Sequence, residues 1–256
     1  MEWFSTIEIP SELSLLATGS VALFARLAAM ISMVPGIGEL GVSIRIRLMI
    51  ILVLTAAIFP LVVPLQLEQI KSNGLLMIMG FEVIIGFALG LGFRVLIYTL
   101  TIAGTIIAQN ISLSQIFSPT LAAEPNTSVS MLLIMSGSAL FVTLDWHTAS
   151  IGLLYRSYEI FPLGEFPDTG ALAKWATERT GAALSLATSL ALPFLLLNFL
   201  YNLVLGLINQ AMPQMMVTFI GVPANVLAGM VILCLAIATM LVVWADTIPE
   251  AMRGFW

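Results

Sequence analysis

Apolar residues gather along the chain into six stretches, 13–34, 48–63, 75 to about 109, 129–144, 182–208 and 215–243, and polar residues are left mainly to the gaps. A helix needs about 20 apolar residues to cross the hydrocarbon core of a bilayer. The second and fourth stretches, at 16 residues each, are short for that task, and the third is too long for one straight crossing. The pattern predicts an all-α integral membrane protein of six hydrophobic helical segments with irregular spans.

The most informative element, 190–223, runs from within the fifth stretch into the sixth. Its apolar run carries Pro193, Asn198, Asn202 and Gly206, then a polar break at Asn209, Gln210, Met212, Pro213 and Gln214. In hydrocarbon an unsatisfied amide costs several kcal/mol. Asn198 and Asn202, one helical turn apart, should therefore face protein or water rather than lipid. Pro213 cannot continue a helix, so 209–214 reads as the apex of a helical hairpin.

The substantial hydrophilic stretch is 145–181, with room for a short helix over 170–179. It divides the chain into a four-segment part, 1–144, a connecting loop, 145–181, and a two-helix hairpin, 182–256. Composition agrees: 60% of the 256 residues are hydrophobic and 9% charged, against about 25% charged in a soluble domain. The net charge of -5 comes from scattered acids, and no basic cluster points to nucleic acid or anionic lipid. One cysteine, Cys234, and one histidine, His147, leave too few ligands for a metal cage and no partner for a disulfide. The acidic start MEWFSTIEIPSEL lacks the basic region of a signal peptide, so the first apolar segment is expected to stay in the mature protein. Basic residues fall on both sides of the six segments with acids among them, and they assign no orientation.

Three ionisable residues lie inside apolar stretches: Arg26, Glu82 and Arg94. Such groups can mark a proton or ion path. They can equally be paired within helix packing, where a broken pair would cost several kcal/mol. A single central acid favours the packing reading over a pump. Glu82, Gly86 and Gly90 recur every fourth residue, and the two glycines make a small-xxx-small face that admits another helix backbone. His147 has no nucleophile or carboxylate at the spacing a catalytic site needs and reads as an interfacial residue beside Trp146. Pro119 and Pro125 forbid a continuous helix over 109–126. At membrane depth such backbone is tolerated only inside protein or lining a cavity, so this loop either lines a passage, with Ile116 and Phe117 at a constriction, or dips to the interface.

Taken in order, these residues resemble the FliR family of flagellar export-gate proteins and its SctT-like counterparts in virulence type III secretion. The resemblance rests on Pro193, Asn202-Leu203-Val204-Leu205-Gly206, Pro213-Gln214, Gly221-Val222-Pro223 and Gly229 in the tail. Arg26, Pro35, Arg47 and Pro60 at the front, Glu82, Gly86, Gly90 and Gly104 in the middle, and His147, Ser157 and Pro162-Leu163-Gly164 support it. The chain departs from the family pattern at Gln210, where Arg is frequent, and at Met216, where Asn is. It also has Asn110 to Ser114 for a Q-x-G-L-S and Glu124-Pro125 for a D-P.

The resemblance implies a non-enzymatic subunit, without cofactor, of an export gate in the bacterial inner (cytoplasmic) membrane, within the flagellar basal body. It would assemble with FliP and FliQ homologues, and with FlhB, around a channel for unfolded export substrates. Its first four segments would be FliP-like and its last two FliQ-like, built as bent helical hairpins. Ile116 and Phe117 would belong to an apolar channel plug. Arg26, Glu82, Gly86, Gly90, Asn202, Gly206, Pro213 and Gln214 would serve helix packing and subunit contacts. The competing expectation is a polytopic secondary transporter or channel for a small solute, which would show matching broken helices in two halves.

Overall fold

The computed structural model of the chain describes residues 11–38, 41–66, 74–111, 128–211 and 217–253. The described residues form seven α-helices: α1 (Ser11–Ile31), α2 (Ile44–Val62), α3 (Leu75–Ile111), α4 (Ser128–Thr143), α5 (Trp146–Ile160), α6 (Thr169–Ala211) and α7 (Val217–Arg253). A single 3-10 turn, Val63–Leu65, follows α2. Five of the helices are long and apolar enough to cross a membrane, or six if α4 and α5 count as one bent span. The protein is an all-α integral membrane protein.

Local sequence explains where several helices begin and end. α1 gives way to a turn in which Gly36 adopts a φ of +82°, open to a residue without a Cβ. The Ser43 hydroxyl accepts from the Ile46 N–H and caps α2. The Asp168 carboxylate accepts from the N–H groups of Gly170 and Ala171 at the start of α6. Between α4 and α5 Asp145 takes the left-handed conformation with φ 58°.

Two elements differ from the sequence expectation. The 145–181 stretch is not mainly loop: it holds all of α5 and the first turns of α6. α5 buries Ser150, Leu153, Leu154, Ser157 and Tyr158, a one-sided helical stripe that a search for continuous apolar runs passes over. The expected short helix at 170–179 is the beginning of a 43-residue helix, because Lys174, Glu178 and Arg179 are good helix formers despite their charge. At about 65 Å, α6 is twice the length of a hydrocarbon core of about 30 Å.

The chain divides into two compact units. The first comprises Met1–Arg94 and Val142–Thr177, and within it α1 packs against α2 and the 3-10 turn. The second comprises Val95–Phe141 and Glu178–Gly254. α3 and α6 each contribute one end to each unit.

Candidate functional site

In the first unit the polar groups converge on one buried node. Arg26 of α1 and Glu82 of α3 are both 0% exposed. The Arg26 Nε donates to Glu82 Oε2 at 2.6 Å and one terminal nitrogen donates to Oε1 at 3.1 Å, a two-point guanidinium–carboxylate contact. Ser157 Oγ lies 3.1 Å from the other terminal nitrogen, and the Phe161 carbonyl accepts at 2.9 Å. The guanidinium stacks over the Tyr158 ring, 3.9 Å from its centroid. Glu82 Oε1 also accepts from the Gly164 N–H at 3.1 Å.

The turn that supplies these backbone groups is itself held in place. Gln66 donates to the Tyr158 carbonyl at 3.0 Å and accepts from the Leu163 N–H at 2.9 Å. Gly164 sits at φ +80°, and Phe81 packs edge-on against Phe166 with centroids 4.9 Å apart. α1, α3, α5 and the turns at Gln66 and Phe161–Gly164 are thus tied through one ion pair. Gly86 and Gly90 let α3 approach α1: a Cβ on Gly86 would overlap the Arg26 carbonyl oxygen, and one on Gly90 would stand 2.9 Å from the Met30 carbonyl oxygen.

In the second unit amide side chains form a cluster of their own. Asn198 of α6 donates to Asn110 Oδ1 of α3 at 2.9 Å, and Asn202 donates to Asn198 Oδ1 at 3.0 Å. Asn225 of α7 donates to the Asn110 carbonyl at 3.2 Å. Three helices thereby meet at the last turn of α3. Further up α3, the buried Trp244 indole donates to the Leu96 carbonyl at 2.8 Å. Gly104 faces the Ser130 backbone, whose hydroxyl bonds to the Thr101 carbonyl at 3.0 Å.

The sequence-predicted residues fall as follows. Arg26, Glu82, Gly86 and Gly90 come together at the α1–α3 contact. Asn202 joins the amide ladder at its exposed end, while Gly206 is exposed with nothing within 4 Å of the position its Cβ would take. Ile116, Phe117, Pro213 and Gln214 lie outside the described residues. Arg94 is half-buried on α3, His147 is half-buried in the first turn of α5, and Cys234 is exposed on α7. Sequence reasoning did not single out Gln66, Tyr158, Asn225 or Trp244. Gln66, a polar residue closing an apolar helix, was the one with a visible signal.

The fold and these clusters define a polytopic α-helical membrane protein whose buried charged and amide groups bind its helices to one another. The chain belongs to the bacterial export proteins, family 1, the FliR family, whose model matches residues 18–251. A protein of Caulobacter vibrioides named flagellar biosynthetic protein FliR is 31% identical over 241 residues, covering 91% of this chain and 94% of its own. FliR of Escherichia coli is 30% identical over 206 residues, 80% of this chain and 78% of its own. FliR of Aquifex aeolicus is 25% identical over 235 residues, 90% and 89% of the two chains.

Proposed function

We propose that this chain is a non-enzymatic subunit of the flagellar type III protein export gate, resident in the bacterial inner membrane at the flagellar basal body. The observation that carries the reading is a family match that runs through nearly the whole chain, with the name FliR on each of the relatives described. The exposure of α6 supports a place in an assembly. Leu196, Phe199, Leu200, Leu203, Val204 and Leu207 are all more than half exposed, on a helix that also presents the amide of Asn202 and the bare backbone of Gly206. A helix that is apolar around its circumference needs lipid or another subunit to cover it, and the polar and small residues favour a protein neighbour.

In this reading the partners are FliP and FliQ homologues, together with FlhB. Residues 1–144 act as a FliP-like part and 182–256 as a FliQ-like hairpin, with Asn202, Gly206, Pro213 and Gln214 at subunit contacts. The loop that follows α3 contributes Ile116 and Phe117 to an apolar plug. Such a plug closes by excluding water and opens as side chains part for an unfolded polypeptide, and no bond chemistry is involved. The amides of Asn198 and Asn225, joined to Asn110, hold the end of α3 from which that loop departs. Replacing Ile116 and Phe117 together with glycine in cells that make the full gate is expected to admit small ions. Unchanged ion permeability would remove both residues from the plug.

A further inference from the structure

Arg26 and Glu82 lie in two helices that are each apolar enough to cross a membrane, yet neither charge is neutralised within its own helix. The guanidinium finds its acceptors on Glu82, Ser157 and the Phe161 carbonyl, and the carboxylate finds its donors on Arg26 and the Gly164 N–H. These parts are far apart in the chain: Glu82 follows Arg26 by 56 residues and Gly164 follows Glu82 by 82. During synthesis α1 is therefore complete long before its counter-charge exists. The pair is in turn complete long before the turn that satisfies its remaining hydrogen bonds. A charged side chain without its partner is disfavoured in lipid.

The α1–α3 contact adds a second constraint. Gly86 and Gly90, one turn apart, both sit against α1 backbone, so close packing alone would accept registers one turn apart. The ion pair, together with the Phe161–Gly164 turn, singles out one of them, a use of buried polar groups known from coiled coils.

We infer that α1 and α3 do not enter the lipid as independent spans. They are held by the polar-lined membrane-insertion machinery until residues 157–164 have emerged, and are released as a paired unit in a fixed register. This concerns how the chain is made and stands apart from its role in export.

The test is ribosome profiling of the full-length message in cells, selecting ribosomes whose nascent chains are held by a tagged insertion channel. It reads the codon at which the chain is let go. For the natural chain, release is expected after the codon for Gly164, later by the length of the ribosomal exit tunnel. For the double variant R26M/E82M, whose helices carry neither charge of the pair, release is expected to move forward to the point where α3 has emerged. Glu82→Gln, which leaves Arg26 without its counter-charge, is expected to be retained at least as long as the natural chain. The readout comes from chains still being made and does not depend on whether a variant folds. Release of the natural chain as soon as α3 emerges, or release of the double variant as late as the natural chain, would overturn the inference.

Discussion

Glu82→Gln keeps the shape of the side chain and removes its charge, so it isolates what the carboxylate does. The Gly164 N–H can still donate to the amide oxygen, and Arg26 keeps Ser157, Phe161 and the Tyr158 ring around it. What is lost is the counter-charge of a guanidinium with no exposed surface. Removing one partner of a buried ion pair costs about 3–5 kcal/mol, most of it the uncompensated charge left behind. Because neutral hydrogen bonds remain, the lower end, about 3 kcal/mol, is expected here. The double variant R26M/E82M leaves no charge, but it strips an acceptor from the Gly164 N–H and a donor from the Phe161 carbonyl, so it should lose only about 1–3 kcal/mol. The assay is reversible SDS unfolding of the purified protein in mixed micelles, followed by tryptophan fluorescence, for natural, single and double variants. The reasoning predicts that the double variant is no less stable than Glu82→Gln, with a clear favourable coupling between the two positions. A Glu82→Gln protein as stable as the natural one, or two single losses that simply add, would refute the claim that the pair holds the node together.

Other positions give contrasting outcomes. Gly86→Leu should separate α1 from α3, since the Arg26 carbonyl it would strike is backbone and cannot rotate away; a loss of more than about 3 kcal/mol in the same unfolding assay is expected. Gly206→Leu should leave the isolated chain as stable as before, because open space surrounds the site, but should abolish association with partner subunits in a pull-down. Normal association would show that face to be lipid-exposed. Asn110→Leu should destabilise by about 1–3 kcal/mol by leaving the Asn198 amide without its acceptor, while Asn225 keeps the Asn110 backbone carbonyl, and hydrogen exchange should show faster opening at the end of α3. Trp244→Phe removes the donor to the Leu96 carbonyl and is expected to cost about 1–3 kcal/mol by thermal unfolding.

The apolar stretches were legible because lipid demands long runs of one character, and all six contain helix. α5 was not, because its buried stripe of Leu153, Leu154, Ser157 and Tyr158 is mixed with exposed Arg156 and Glu159. The start of α6 was hidden for the same reason, by Lys174 and Arg179. Arg26 and Glu82 stood out as charges in apolar runs, but nothing in a separation of 56 residues says that they meet. The rest of the node rests largely on the Phe161 carbonyl and the Gly164 N–H, and backbone groups leave no mark on a sequence beyond the glycine that permits the turn. Asn198 was visible as an amide that must find a partner in hydrocarbon. Which partner it finds, Asn110, depends on how α3 and α6 pack, and helix packing is not written in local pattern.

The central claim, membership of a multi-subunit gate, is tested most directly by the mass of what the chain assembles into. The affinity-tagged protein is co-expressed with the FliP and FliQ homologues of its source, and the detergent-solubilised material retained by the tag is weighed by native mass spectrometry. The account predicts a single large complex containing both partners. A lone species at the 27.6 kDa of this chain, with both partners present in the membrane, would contradict it.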